Sequence, residues 1–456
     1  MLTSTQREEI GLTFVLSQLT CFSPYGIEKA RNYSNFTSFR TLYETEQNLE
    51  KTFDNIEILK AQPRQIKDEL SFLLSHFKNI RNTVKRCESV TLGEVELFEV
   101  KGFLLMLEKL LLFIENTGIA LLGLPLVPMN EALEILDPSG NRHAPFSLEA
   151  AFSEKLAKIR KDKLKIETKP ITGELETARN ELIYSEHAEE QAVLEDLTKK
   201  LRPFIPDFVS NMDNIGELDV LLAKALLAEK FNAVRPLILS KKEQLIITNM
   251  FNPYTAQAVR SFTPVSLDIK KPAAVITGAN MGGKSVTVKT ILLNTMLCNM
   301  GFFVFAESAQ IPFFDDVFFV AENSGTNFLS SFGAEMQAIK EILSRKDFLL
   351  IILDEPARST NPSEGKEIVQ ALVSHLSKTK NISVITTHFD DVIPEEAEHY
   401  QTAGITPNFL QYIKTGGSIK DSGEFIDYSL HKVKRNTPVP KDAINICRLI
   451  GLGDIL

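Results

Sequence analysis

The segment Gly278-Ala279-Asn280-Met281-Gly282-Gly283-Lys284-Ser285 satisfies the pattern G-x-x-x-x-G-K-[ST], directly after the apolar run Ala273 to Thr277 and ahead of a helical stretch. Glycines at that spacing let backbone N–H groups close around phosphate oxygens at a helix N-terminus. A lysine at 284 neutralises the β and γ phosphates of a nucleotide, and the Ser285 hydroxyl can ligate Mg²⁺, so the chemistry expected is Mg-ATP binding with phosphoryl transfer. A second set, Phe348 to Glu355, is an apolar strand that delivers two carboxylates at its C-terminal end, where ligands sit in open α/β sheets. There Asp354 is expected to hold Mg²⁺, directly or through water, and Glu355 to polarise the attacking water as general base. A third, Thr386-Thr387-His388, follows the run Ser383 to Ile385 and puts His388 where it can stabilise charge developing on the γ phosphate. Each has a plainer reading when taken singly: acids ending a strand can be a solvated terminus, and a lone histidine is usually structural.

Positioning these groups takes strands that alternate with helices. After about residue 240 short apolar runs (Ala273 to Thr277, Phe302 to Phe305, Phe348 to Leu353, Ser383 to Thr386) alternate with helical stretches at 284–298, 334–345 and 364–378, which predicts a mostly parallel α/β sheet. Before it, apolar residues recur at helical spacing, as in Leu218, Leu221, Leu222, Ala225 and Leu226. Nine of the 22 glycines precede residue 251 and 13 follow, as expected if helices dominate first and tight turns later. Residues 174–201, rich in Glu and Lys on a sparse leucine stripe, suit a long solvated helix or an antiparallel helical pair. Prolines at 125, 128, 138 and 145 predict an irregular connection over 125–148.

Composition narrows the class. At 456 residues, 44% hydrophobic and 24% charged, the chain is long enough for two or three domains with buried cores. A net charge of −9 lacks the basic footprint of a DNA-coating protein. The four cysteines show no CxxC pair, so neither a disulfide framework nor a zinc site is indicated. No leader pattern and no membrane-length apolar run is present, which places the chain in the cytoplasm with no membrane partner.

In order and spacing, the Asn280-Met281-Gly282-Gly283-Lys284-Ser285 loop, the run Gly301 to Ala306, the segment Ser330 to Met336, the Asp354-Glu355 pair and Thr387-His388-Phe389 resemble the MutS ATPase over about 200 residues. The first half resembles that family's lever and core helices more loosely. The resemblance implies a multidomain α and α/β chain: a helical lever/core domain with a shortened clamp over 1–240, then a P-loop ABC-type ATPase with a mostly parallel sheet over 241–456. It also implies a site completed by a second subunit, in a homodimer or a MutS-like heterodimer. Ser330 and Ser331 would face the partner's γ phosphate, Phe262 would stack on adenine, and His431 would approach the nucleotide. Two departures stand out: the family's Gly-Arg-Gly-Thr is here Ala357-Arg358-Ser359-Thr360, and its threonine after the loop serine is Val286. No module with the family's Phe-x-Glu wedge fits, and Phe305-Ala306-Glu307 reads as structural. A helix over Ala443 to Leu452 precedes the end of the chain.

Two functions of different class follow. In one, a MutS-family ATPase couples nucleotide-driven dimer changes to DNA, using six cations within eleven residues (Lys155, Lys158, Arg160, Lys161, Lys163, Lys165) to neutralise phosphates. Equally, that run is a solvated helix face paired with nearby acids. In the other, the chain resembles the reactivase ATPase that remodels a cobalamin-dependent lysine aminomutase, and the target is a protein.

Overall fold

The computed structural model describes residues 2–142, 146, 148, 152–167, 173–239, 244–258, 262–278, 282–321, 331–405, 426–435 and 437–439. The chain divides into two compact units, one of residues 1–19, 32–57 and 224–456 and the other of residues 20–31 and 58–223. This partition differs from a cut near residue 240, because two N-terminal segments join the unit that holds the sheets.

In that unit the strands are β1 Leu237–Leu239, β2 Leu245–Met250, β3 Val265–Ile269, β4 Ala273–Thr277, β5 Ser308–Pro312, β6 Asp316–Val320, β7 Leu349–Asp354, β8 Ile382–Thr387, β9 Ala397–Ile405 and β10 Ile426–Lys432. They form a four-stranded sheet in the order β1-β5-β2-β3 and a six-stranded sheet in the order β10-β9-β4-β8-β7-β6. The larger sheet is parallel except at the β9/β10 edge. β4 is buried along its whole length, and β7 is buried up to Asp354, as continuous Val, Ile and Leu runs in a parallel sheet covered on both faces require. On one face Val275, Ile351, Leu353 and Ile385 pack with Ile339 and Ile342 of the helix Ser331–Leu343 and with Val369, Val373 and Leu376 of the helix Pro362–Leu376. The helix Lys284–Asn299 also packs on β7 and β8, its Val288, Ile291, Leu292 and Met296 buried.

The expected strand over Phe302 to Phe305 is corrected. Only one bridge forms, between Val304 and Val234. The amides of Phe302 and Phe305 are taken by Leu297 O at 2.9 Å and Asn294 Oδ1 at 2.7 Å, so the run is tied to the preceding helix instead of to a strand ladder. Its rings fill the core, with Phe302 edge-on to Tyr33 and Phe305 against Phe231 and Phe251. The triplet Phe305-Ala306-Glu307 is accordingly structural, Phe305 and Ala306 being buried.

The other unit is helical. Its helix Glu94–Thr117 opens with the Glu96 carboxylate accepting the Gly93 amide at 2.9 Å and ends at Gly118, whose φ of 67° only glycine adopts cheaply. Phe103 of this helix gathers Tyr25, Phe77 and Phe208 with ring centroids 6.3, 5.5 and 5.8 Å away. The proline-rich connection contains a short helix, Asn130–Leu136, which the spacing of its prolines permits. The helices Glu154–Glu167 and Gly173–Leu201 run antiparallel, and acids of the second take the basic run of the first: Lys155 pairs Glu189 at 2.6 Å, Arg160 pairs Glu186 at 3.0 Å and Glu190 at 2.7 Å, and Lys163 pairs Glu186. Among the described residues no helix is long and apolar enough to cross a membrane.

Asp219 ties this unit together. Fully buried, it accepts the amide and hydroxyl of Ser23, both at 2.6 Å, and the Phe22 amide at 3.0 Å. Burial pushes its carboxyl above the usual range, against those donors. A Cβ on Gly26 would lie 2.1 Å from its Oδ2, so only glycine allows the approach. Asp219→Ala is expected to destabilise the protein by about 2–4 kcal/mol, since three buried donors lose their acceptor. Urea unfolding of the two proteins checks this.

Candidate functional site

The site lies where β4, β7, β8 and β9 end. Parallel pairing sets Thr277 beside Thr387 on one side and Gln401 on the other, and sets Asp354 beside Thr386. Every group carried past these positions emerges on one edge of the sheet. From β4 the chain turns at Gly278, φ 150°, and enters the helix Lys284–Asn299 through Gly283, φ 85°, conformations that favour glycine.

Lys284 is 4% exposed. Its ammonium donates to the Gly278 carbonyl at 2.8 Å and lies 3.2 Å from Glu355 Oε1. The other oxygen of Glu355 is 3.1 Å from Arg358. Two cations therefore hold the one carboxylate that the sequence nominates as base. Thr386 orients the acidic pair from both ends: its hydroxyl donates to Asp354 Oδ1 at 2.6 Å and accepts the Glu355 amide at 2.8 Å. The turn that follows is strained, with Glu355 and Ala357 at φ 51° and 61° although neither is glycine. Glu335 anchors it by accepting the Ala357 amide at 3.1 Å.

The structure thus brings Gly278, Gly283, Lys284, Asp354 and Glu355 together. Gly282 is buried beside them, while Ser285 and Val286 are exposed at the helix start. Asn280, Met281 and Ser330, and the expected helix over Ala443 to Leu452, lie outside the described residues; Ser331 opens its helix, with its side chain outside the description. His388 is exposed, its ring 4.4 Å from that of Phe389. Phe262 is half-buried ahead of β3, and the His431 ring bonds Ser429 at 2.8 Å. Among the described residues no hydrogen bond joins Phe262, His388 or His431 to the cluster around Lys284.

Sequence reading passed over Arg358 as a partner of Glu355, over Thr386 in favour of His388, and over β9 and β10 altogether. The signal for Thr386 was present, because two polar residues end a strand that must pair with the acidic one. β9 contributes His399. It is held in one tautomer: Nδ1 donates to Lys434 O at 3.1 Å, so Nε2 accepts from the Thr277 hydroxyl at 2.8 Å. For magnesium, the donor set fits: a carboxylate oxygen of Asp354 at the end of β7 and the Ser285 hydroxyl at the start of the helix that follows β4 are hard oxygen ligands, with β8 alone between the two strands. Among the described residues no cluster of three or more His, Cys, Asp or Glu could hold a metal without other help.

Residues 274–420 match the family model described as MutS domain V. The chain is 30% identical over 223 residues to a protein named Endonuclease MutS2 from Leuconostoc mesenteroides, covering 48% of this chain and 28% of that one. A protein of the same name from Ligilactobacillus salivarius is 32% identical over 214 residues, 46% of this chain and 27% of its own length. Another from Streptococcus suis is 29% identical over 285 residues, 61% of this chain and 35% of its own. The matched region thus spans about a third or less of these curated relatives.

His399 generates a pH prediction. Burial lowers its pKa, so the folded state resists a proton that the unfolded chain accepts below about 6.5. Its stabilising contribution is complete above that value and is lost as pH falls through the lower, folded pKa. His399→Gln is expected to flatten the loss of thermal stability between about pH 7 and pH 5, measured by melting both proteins across that range.

Proposed function

On the premise that this chain is a MutS-family protein, carrying that family's domain V, we propose that it binds and hydrolyses Mg-ATP at the edge of the six-stranded sheet. The observation that carries the reading is the convergence on one sheet edge of a glycine-flanked, buried lysine that follows β4 and two carboxylates that close β7, with Lys284 and Glu355 3.2 Å apart. Lys284 would exchange its Gly278 and Glu355 contacts for the β and γ phosphates, and Glu355, released, would take a proton from the attacking water. Ser285 and Asp354 would hold magnesium, which supplies charge neutralisation on the phosphates. Phe262 and His431 would contact the base side of the nucleotide, His388 its γ phosphate, and Ser330 and Ser331 the nucleotide of a second subunit in a homodimer or MutS-like heterodimer. The loop residues Asn280 and Met281, with Gly282 and Val286, would complete the phosphate cradle. Residues 241–456 would form the ATPase domain and 1–240 the lever and core helices with a shortened clamp.

We further propose that hydrolysis is coupled to DNA or to a protein target. The relatives' name speaks for nucleic acid. A protein target, such as a cobalamin-dependent aminomutase, is favoured by one observation: Lys155, Arg160 and Lys163 are already paired with Glu186, Glu189 and Glu190. Cations so neutralised release few counterions on meeting phosphates, so DNA affinity would depend weakly on salt. A log–log salt slope near that of several phosphate contacts would instead assign the target to DNA.

Two substitutions test the ATPase itself. Lys284→Ala is expected to weaken ATP binding by at least about tenfold, as loss of a charge-assisted contact worth 1.5–3 kcal/mol predicts. Glu355→Gln should bind ATP while losing about 10²–10⁴-fold in turnover, the worth of a general base. Equilibrium titration and phosphate release measure the two effects. Undiminished turnover in Glu355→Gln would move the base elsewhere.

A further inference from the structure

The helix Pro362–Leu376 starts shortly after the acidic pair, and its single glycine, Gly365, lies buried in the first turn. Glycine is a costly choice there, because alanine favours a helix and glycine does not. Its backbone angles do not demand it, since its φ is not positive and its amide donates to Asn361 O at 2.8 Å as in any helix. Space demands it instead. A Cβ on Gly365 would lie 3.1 Å from the Ala357 carbonyl oxygen and 3.1 Å from Phe389 Cζ. The carbonyl belongs to the strained turn that carries Glu355, and the ring belongs to the loop that carries His388, whose own ring is 4.4 Å from it. β7 and β8 run side by side, with Asp354 beside Thr386, so that turn and that loop leave the sheet on one edge. Each is held elsewhere as well. Glu335 accepts the Ala357 amide at 3.1 Å, while Phe389, its amide bonded to Thr387 Oγ1 at 3.2 Å, packs against the core on one face of the sheet. A methyl at 365 therefore has to move one of them by a few tenths of an ångström.

We propose that Gly365 is a positioning residue of the ATPase site: its bare Cα lets the turn after Glu355 and the loop after His388 settle against one point of the same helix. The carboxylate that activates water and the histidine that meets the γ phosphate are thereby fixed relative to each other. Gly365 touches neither the nucleotide nor the water. The inference rests on the ATP-hydrolysis reading of the site, while nucleotide binding by Lys284 and the glycine loop does not depend on it.

The two are separable by experiment on the full chain. Wild type, Lys284→Ala, Gly365→Ala, Phe389→Leu and the double variant Gly365→Ala, Phe389→Leu are titrated with Mg-ATP, assayed for phosphate release and melted. Gly365→Ala should turn over about tenfold more slowly, as a displacement well under an ångström at reacting groups predicts, with its Kd for Mg-ATP within about twofold of wild type. It should be folded at the assay temperature, because the gain in helix propensity offsets the crowding. With leucine at 389 the helix can shift into the vacated space, so in that background the added methyl should slow turnover by less than about threefold. Wild-type turnover in Gly365→Ala, a loss of affinity as large as the loss of turnover, an unfolded Gly365→Ala chain, or the full penalty persisting beside leucine each overturns the positioning role while the ATP reading stands. A wild-type chain that releases no phosphate, or releases it no faster than Lys284→Ala, removes that reading and this inference with it.

Discussion

A lysine ammonium at 4% exposure must be surrounded by acceptors, because a buried charge without partners is too costly to keep. Lys284 meets that constraint with a backbone carbonyl six residues earlier and a carboxylate 71 positions later in the chain. The first contact requires the tight return from β4 into its helix, which the backbone angles at Gly278 and Gly283 permit. The second requires β8 and only β8 to lie between β4 and β7, so that Glu355 emerges within reach. The sheet order and the two glycines are what allow this one charge to be housed.

The same charge is one of several in the site that already have partners within the chain. Glu355 is shared by Lys284 and Arg358, and Thr386 holds its amide together with the Asp354 carboxylate. A ligand entering the loop competes with contacts already made, and binding energy is partly spent on breaking them. Strain adds to this poise, since Glu355 and Ala357 occupy a region of backbone space that costs about 1–3 kcal/mol per residue. Ala357 holds a backbone conformation that favours glycine, and Glu335, accepting its amide, supplies part of what holds it there.

In the helical unit, charge is arranged for cohesion. Arg160 spans Glu186 and Glu190 of the neighbouring helix, Lys163 shares Glu186 and Lys155 takes Glu189, so three of the six cations that stand out in the sequence are paired across the two helices. Such pairs, partly exposed, contribute little stability individually. Their effect is on what the surface can attract.

The sequence by itself determined the loop, the acidic strand end and the alternation of strands with helices, because those signals are local: a turn that needs glycine, an apolar run closed by carboxylates, a periodicity of 2 giving way to 3.6. It misread Phe302 to Phe305, whose apolar run says buried but cannot say whether its amides go to a strand or back to the preceding helix. Only the tertiary structure decided that Thr386 and not His388 contacts the acidic pair, that Arg358 shares Glu355, and that Thr402 and Tyr428 close on the loop glycines. Arg358 lies only three residues past Glu355 in the same turn, but the other contacts join residues brought together by strand order and register, which spacing along the chain does not state. Pairing of the basic run was likewise open until two helices lay side by side, since sequence gives the charges while packing chooses their partners.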